Sequence, residues 1–469
     1  MYTDAIDNSA GVDCSDHEVN IKILVDSLVA NSILPADKRT ALLAEMTDEV
    51  SSLVLRDNYL QTQCISLTQA NATTALEEHA RLIEYLEESG RLNRSIEFLP
   101  DADGIAERQN MSQGLTAPEI AVLVAYSKMD IYEKILDSSL VEDRFFDNEL
   151  LMYFPAQLTQ SFAPQILQHQ LRKEIIATQV TNSLVNRLGP TFLLQLQEEL
   201  GGTVAEVATA YVAVRQLFNM RNLWSAIERL DNQIDNALQT ELLLVVRGWV
   251  ERGVHWLVKN RRCNNGVQAI VDYFDSGLQI LVKSVPASLA EPTRQSFDAR
   301  RKRFEAAGVP QDIAIAVSAA FPLSTAFDIL DVATTSSAPD LCNVGVETTA
   351  SVYYELGEFL QIQWLREQIA ELEVHNHWHS LAKSALRSDL HYRQRHLCAE
   401  ILAQSNSDAT PASLVDTWAT TSKVQLEVYK QRLQDLKSMG NADYAMLSLA
   451  VAEVSKLLQS DRPLAGTDE

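Results

Sequence analysis

The chain has 469 residues, 46% hydrophobic and 22% charged, with only 16 glycines and 13 prolines. That is a folded, helix-favouring composition with room for roughly two to four domains. The net charge of -24 opposes nucleic-acid binding, which needs a basic surface to release counterions, and opposes docking on an anionic bilayer.

Thr3 to Ser15 is polar and turn-forming and is expected as a loop. Ser15-Asp16-His17-Glu18 has the capping-box pattern, in which the serine oxygen takes the amide three residues on and the glutamate reaches back. A helix is predicted from there, with Ile21, Leu24, Val25 and Leu28 as one buried stripe and Asn31, Ser32 and Pro35 closing it. A second helix carries Met46, Val50, Leu53 and Val54 on one face and runs to Tyr59 or beyond. A third, from Leu76 to Leu86, ends at Gly90, a fitting C-terminal cap.

Leu99 to Pro118 holds Pro100, Asp101, Asp103, Gly104, Gly114 and Thr116 and is expected as a long loop or boundary. Thr116 and Glu119 then mark a helix start. Helices continue through Tyr126, Ile135 and Leu150 to a break at Phe154-Pro155. Further breaks are expected at Gly189-Pro190, Gly201-Gly202, Asn264 to Gly266, Val285-Pro286, Gly308 to Pro310 and Ser336 to Pro339. Leu356, Phe359, Ile362, Leu365, Ile369 and Leu372 repeat with helical spacing, Gln404 to Pro411 is a polar junction, and Tyr429, Leu433, Leu436 and Leu447 belong to a last helical pair. No βαβ series and no fixed-period repeat is visible, so the chain is read as mostly α.

Cys14, Cys64, Cys263, Cys342 and Cys398 form no CxxC pair, which suits free thiols in a reducing, cytoplasmic compartment. The apolar run Leu242 to Val246 stops at Arg247, far short of the roughly 20 residues of a membrane span. Asn-x-Ser/Thr triplets at Asn71, Asn93 and Asn110 are taken as chance matches.

Several constellations hold residue types that could carry chemistry. His375 and His379 share a face at i, i+4, with His377 between, but no carboxylate or cysteine completes a metal set at a suitable spacing. Cys14 and His17 lack a third group to orient the imidazole. Asp4, Asp7, Asp13 and Asp16 lack the central glycine and terminal glutamate of a calcium loop. Arg247, Arg252, Lys259, Arg261 and Arg262 read as a salt-bridged helix face or an interface. Trp224, Trp249, Trp256, Trp364 and Trp378 read most simply as core. No metal is expected.

The opening run Asn8-Ser9-Ala10-Gly11-Val12-Asp13-Cys14-Ser15 resembles the segment that lines the active site of glutamate dehydrogenases, specifically the large-subunit bacterial NAD-specific family. Met46 to Val50, Leu55 to Tyr59, Glu97 to Pro100, Gly114 to Leu123 and Tyr153 to Pro155 follow in that family's order. So do Trp364 to Arg366, Asn376 to Trp378 and Ala385 to Arg387, and the resemblance spans most of the chain. Simpler glutamate dehydrogenases have Asn-Ala-Gly-Gly where this chain has Asn8 to Gly11.

The resemblance implies oxidation of L-glutamate to 2-oxoglutarate and ammonia with NAD as cofactor. It assigns Asn8 to the nicotinamide ribose, with Gly11 letting the backbone approach the cofactor. It assigns Val12 to an apolar wall against the glutamate methylenes and Ser15 to the substrate's side-chain carboxylate. A hydroxyl donated to a charged acceptor is worth about 1.5–3 kcal/mol, whereas Ser15 as a helix cap alone is worth about 1 kcal/mol.

The family places its glycine-flanked lysines and catalytic aspartate ahead of Asn8, and no G-x-G-x-x-G dinucleotide turn occurs in this chain. The expectation is therefore a C-terminal portion that is inactive without an upstream α/β catalytic part and assembles as a homo-oligomer. Residues 1–67 would end the catalytic region, 68–459 would be a multi-helix domain, and 460–469 a disordered tail. The alternative is a stand-alone helical interaction or regulatory module retaining a relic motif.

Overall fold

The computed structural model describes residues 1–335, 345–404 and 409–458. The described residues are helices joined by turns, with no strand among them. The break expected at Ser336 to Pro339, Cys342, the middle of the junction after Gln404 and the 460–469 tail lie outside the described residues. The chain forms two compact units. One comprises Met1–Met220 with Val250–Val271, and the other Arg221–Trp249 with Asp272 onward.

The first unit holds α1 (Ser9–Ala30), α2 (Thr47–Ala70), α3 (Leu76–Glu88), α4 (Ala102–Asn110), α5 (Ala117–Leu136), α6 (Asp147–Tyr153), α7 (Arg172–Leu188) and α8 (Val204–Leu217). Helix α1 packs on α2, and α2 packs on α5 and α7, which also pack on each other. The predicted stripe Ile21, Leu24, Val25 and Leu28 is buried at 3% exposure or less. Burying a side chain of this size stabilises by roughly 1.5–3 kcal/mol, which is what holds α1 down.

The expected loop at the start is a correction. Asp4–Asp7 is already a helical turn, and α1 begins at Ser9 with Asn8 as its cap residue. Ser15 is therefore inside the helix and does not cap it. The reason is tertiary: buried Ile6 anchors the opening turn, and half-buried Asp13 and buried His17 continue the Ile21 stripe toward the N-terminus. A Ser-x-x-Glu quartet is compatible with a helix interior, so the pattern alone does not fix a start.

The stretch from Leu99 to Pro118 is likewise not all loop. Asp101 accepts the Gly104 amide at 2.8 Å and starts α4. Arg108, near the end of α4, then grips Glu119 with both guanidinium nitrogens at 2.7 Å. Glu119 also takes the Thr116 amide at 2.7 Å, the predicted start of α5. The close turn before it depends on Gly114, where a Cβ would lie 2.3 Å from the Ala72 backbone carbon.

In the second unit, Pro286 does not break its helix, which runs Gly266–Ser288 because Leu281, Val285 and Leu289 stay buried on one side. Here α9 (Ala326–Thr335), α10 (Val346–Phe359), α11 (Ile362–Glu371) and α12 (His377–Ala403) form the core. Gln361 at φ 53° separates α10 from α11. Trp378 is also a correction to the expected core set: it stands in the first turn of α12, 75% exposed. Among the described residues no single helix is long and apolar enough to cross a membrane. One bent pair, Gln311–Leu323 with Ala326–Thr334, passes by length and composition, and most of its large apolar side chains are buried in its own unit.

Candidate active-site face and the cluster beneath it

Helix α1 has two polar sides. Asn8, Gly11, Val12 and Ser15 fall at spacings of three, one and three, one stripe of a helix. All four are exposed, Val12 at 67%, and Val19 extends the row at 50%. The structure thus brings the four motif residues onto one open face. A Cβ at Gly11 would stand 2.8 Å from Asn8 Oδ1, so the missing side chain lets the Asn8 carboxamide lie back along the helix. The helix start, where free amides favour an anion, is at Asn8 to Ala10 and not at Ser15, which lies about 9 Å further along the axis.

The opposite side is buried and specific. His17, 2% exposed, stacks on Tyr153 of α6 with ring centroids 4.3 Å apart. The Tyr153 hydroxyl donates to Asp16 Oδ2 at 2.7 Å and accepts from Asn20 Nδ2 at 2.8 Å. Burial, with the Asp16 carboxylate alongside, pushes the Tyr153 phenol far above its ordinary range, so it stays a donor at any physiological pH. His169 Nε2 meets the Asn20 carbonyl oxygen at 3.0 Å. On α2, Asn58 accepts the Ser9 hydroxyl. Tyr153, Asn58 and Asp57, which sit in blocks that carried the family resemblance, therefore each approach α1.

Asp57 also closes a cluster that sequence reasoning missed. Its carboxylate, that of Asp13 and the His17 ring bring ligand atoms within 4.8 Å of one another. Burial, reinforced by Asp57 and Asp16, pushes the Asp13 carboxyl up to about 7. Burial also raises Asp57, against the pull of Lys128 and Arg56, and lowers His17. Lys128 on α5 is dragged down by burial to about 8, against the pull of Cys64, Asp57 and Asp13. The available signal was the i, i+4 pair Asp13 and His17 once α1 is extended to Ser9. The loop expected over Thr3 to Ser15 hid that pair, whereas Asp4 and Asp7 lie on one short helix and Asp13 and Asp16 on the next.

The other histidine cluster gathers a carboxylate, Glu373, whose Oε2 stands 3.1 Å from His375 Nε2. The ring centroids of His375, just ahead of α12, and His379, in its first turn, stand 5.7 Å apart, and His379 stacks on Tyr444. Cys14 is exposed, Cys64, Cys263 and Cys398 are buried, and none of these four is in a disulfide.

The sequence of this helical region matches two known families. Residues 112–456 match the family model described as glutamate dehydrogenase, C-terminal, and residues 1–68 match that described as bacterial NAD-glutamate dehydrogenase, catalytic domain. The chain belongs to the glutamate dehydrogenase C-terminal family. It is 36% identical over 460 residues to the NAD-specific glutamate dehydrogenase of Pseudomonas aeruginosa and 33% over 462 residues to that of Halomonas elongata. With the Mycobacterium tuberculosis enzyme it shares 35% over 467 residues. These alignments cover 98% to 99% of this chain but 28% of each relative, so the chain spans about a quarter of the curated relatives' length.

Proposed function

We propose that the chain is the C-terminal part of an NAD-dependent glutamate dehydrogenase, catalysing L-glutamate + NAD + water to 2-oxoglutarate + ammonia + NADH once joined to an upstream catalytic part. The observation that carries the reading is the exposure of Asn8, Gly11, Val12 and Ser15 along one side of α1, while its other side is fixed into the unit by Tyr153 and Asn58. An open row of one amide, one glycine, one apolar wall and one hydroxyl suits an amino-acid substrate beside a cofactor ribose.

In this reading NAD, when bound, supplies the hydride acceptor. Asn8 holds its ribose hydroxyl through the carboxamide, Val12 lies against the glutamate methylenes, and Ser15 donates to the side-chain carboxylate. The lysine and aspartate that handle protons come from the upstream part. Residues 1–67 complete the catalytic region, and the helical remainder serves structural, inter-subunit or regulatory roles in a homo-oligomer.

The test is to mix or fuse the chain with an upstream part carrying a dinucleotide fold and to follow NADH formation from glutamate. In the active protein, Ser15→Ala should raise KM for glutamate about 10- to 100-fold, the loss of one hydrogen bond to a charged group, with KM for NAD little changed. Equal effects on both constants would exclude the carboxylate contact. Failure of every joined form to reduce NAD would favour the stand-alone interaction module.

A further inference from the structure

We propose that Asp13, His17 and Asp57 form a binding site for a divalent first-row cation, such as Zn2+, that clamps α1 to α2. Asp13 and His17 come from successive turns of α1 and Asp57 from the helix packed against it, with ligand atoms within 4.8 Å of one another. His17 is 2% exposed, yet its Nδ1 has no hydrogen-bond partner. Its Nε2 stands 4.0 Å from Asp13 Oδ1, too far for a hydrogen bond. The other Asp13 oxygen is buried and also without a hydrogen-bond partner. Buried polar atoms left this way cost free energy that a coordinated ion recovers.

One imidazole and two carboxylates are a donor set for Zn2+, Mn2+ or Co2+, with water completing the sphere. Bonds of about 2.1 Å space ligand atoms about 3 to 3.5 Å apart, so modest carboxylate rotation closes the set. Lys128 faces the cluster from α5 and its charge reaches both carboxylates, so it competes with a cation. The site lies on the side of α1 opposite Ser15 and does not depend on the dehydrogenase reading.

The experiment is a Co2+ titration of the chelator-treated 469-residue chain at about pH 8, read by visible d–d absorption and by melting temperature. A saturable band at one equivalent with a raised melting temperature is expected. His17→Gln and Asp57→Asn, each confirmed folded by circular dichroism, should weaken binding at least tenfold. The exposed pair His375→Gln and His379→Gln should leave it unchanged. Lys128→Met should tighten binding severalfold by removing a like charge. A wild-type protein with only unsaturable uptake overturns the proposal, as does a band that survives His17→Gln or vanishes with the His375 and His379 changes. A Lys128→Met protein that loses stability without any gain in Co2+ affinity identifies the ammonium as the resident cation and likewise overturns it.

Discussion

Ser15 and His17 stand two residues apart on α1 and face opposite ways: the hydroxyl is in solvent, whereas the imidazole is 2% exposed and stacked on Tyr153. Their substitutions should therefore separate cleanly. Ser15→Ala should leave unfolding free energy within about 0.5 kcal/mol of wild type. His17→Ala removes a buried ring and should cost about 2–3 kcal/mol. Urea unfolding of the two variants checks both, and a large loss for Ser15→Ala would mean that its face is packed.

Asp13 gives a pH prediction with a definite sign. Its folded pKa of about 7 lies above the ordinary carboxylate value, so the native state holds its proton more tightly than the unfolded chain. The associated stability is fully present below about pH 4 and is lost as pH rises through about 7. Asp57 shifts in the same sense, whereas His17 and Lys128, both lowered, act oppositely. Asp13→Asn removes the first contribution. With EDTA present, it should gain about 1–2 kcal/mol over wild type at pH 8 relative to pH 4.5, an amount discounted because water reaches the 26% of this side chain that is exposed. Parallel urea curves at the two pH values decide it.

Arg215 of α8 and Glu149 of α6 form an ion pair buried at 5% and 7% exposure, and Arg215 Nη1 also donates to Ser183 Oγ at 2.9 Å. Removing one partner strands the other charge. Glu149→Gln or Arg215→Met should each cost about 3–5 kcal/mol, and the combined apolar change Arg215→Met with Glu149→Leu should recover much of that loss. Thermal unfolding of the three proteins tests the coupling, and simple additivity would refute it.

Gly114→Ala forces a methyl into the Ala72 backbone at 2.3 Å. That contact cannot be relieved by a rotamer change, so the turn entering α5 must move. A melting temperature lowered by several degrees, from a penalty of about 2 kcal/mol or more, is the expected result in differential scanning calorimetry.

Local chemistry made part of this architecture readable in advance. The Ile21 to Leu28 stripe and the Thr116–Glu119 start of α5 were legible because spacing and capping act within a turn or two. That Asn8, Gly11, Val12 and Ser15 share a helix face was not legible, because the stretch was expected as a loop. Ser15 looked like a cap because the quartet is compatible with both a helix start and a helix interior. Burial of Ile6 and His17, a tertiary effect, decides between them. Asp57 could not be joined to Asp13 and His17 from spacing, since only the packing of α1 on α2 brings them together. Trp378 misled for the opposite reason: helical periodicity says a residue has a face, not that anything covers it.

The two-sided character of α1 has a practical corollary. Scanning residues 8 to 24 one at a time should trace a helical wheel in the phenotypes, with turnover defects grouped in one sector and heat sensitivity in the sector across the axis. Randomising the outer sector would then offer a route to altered substrate choice at little cost to folding.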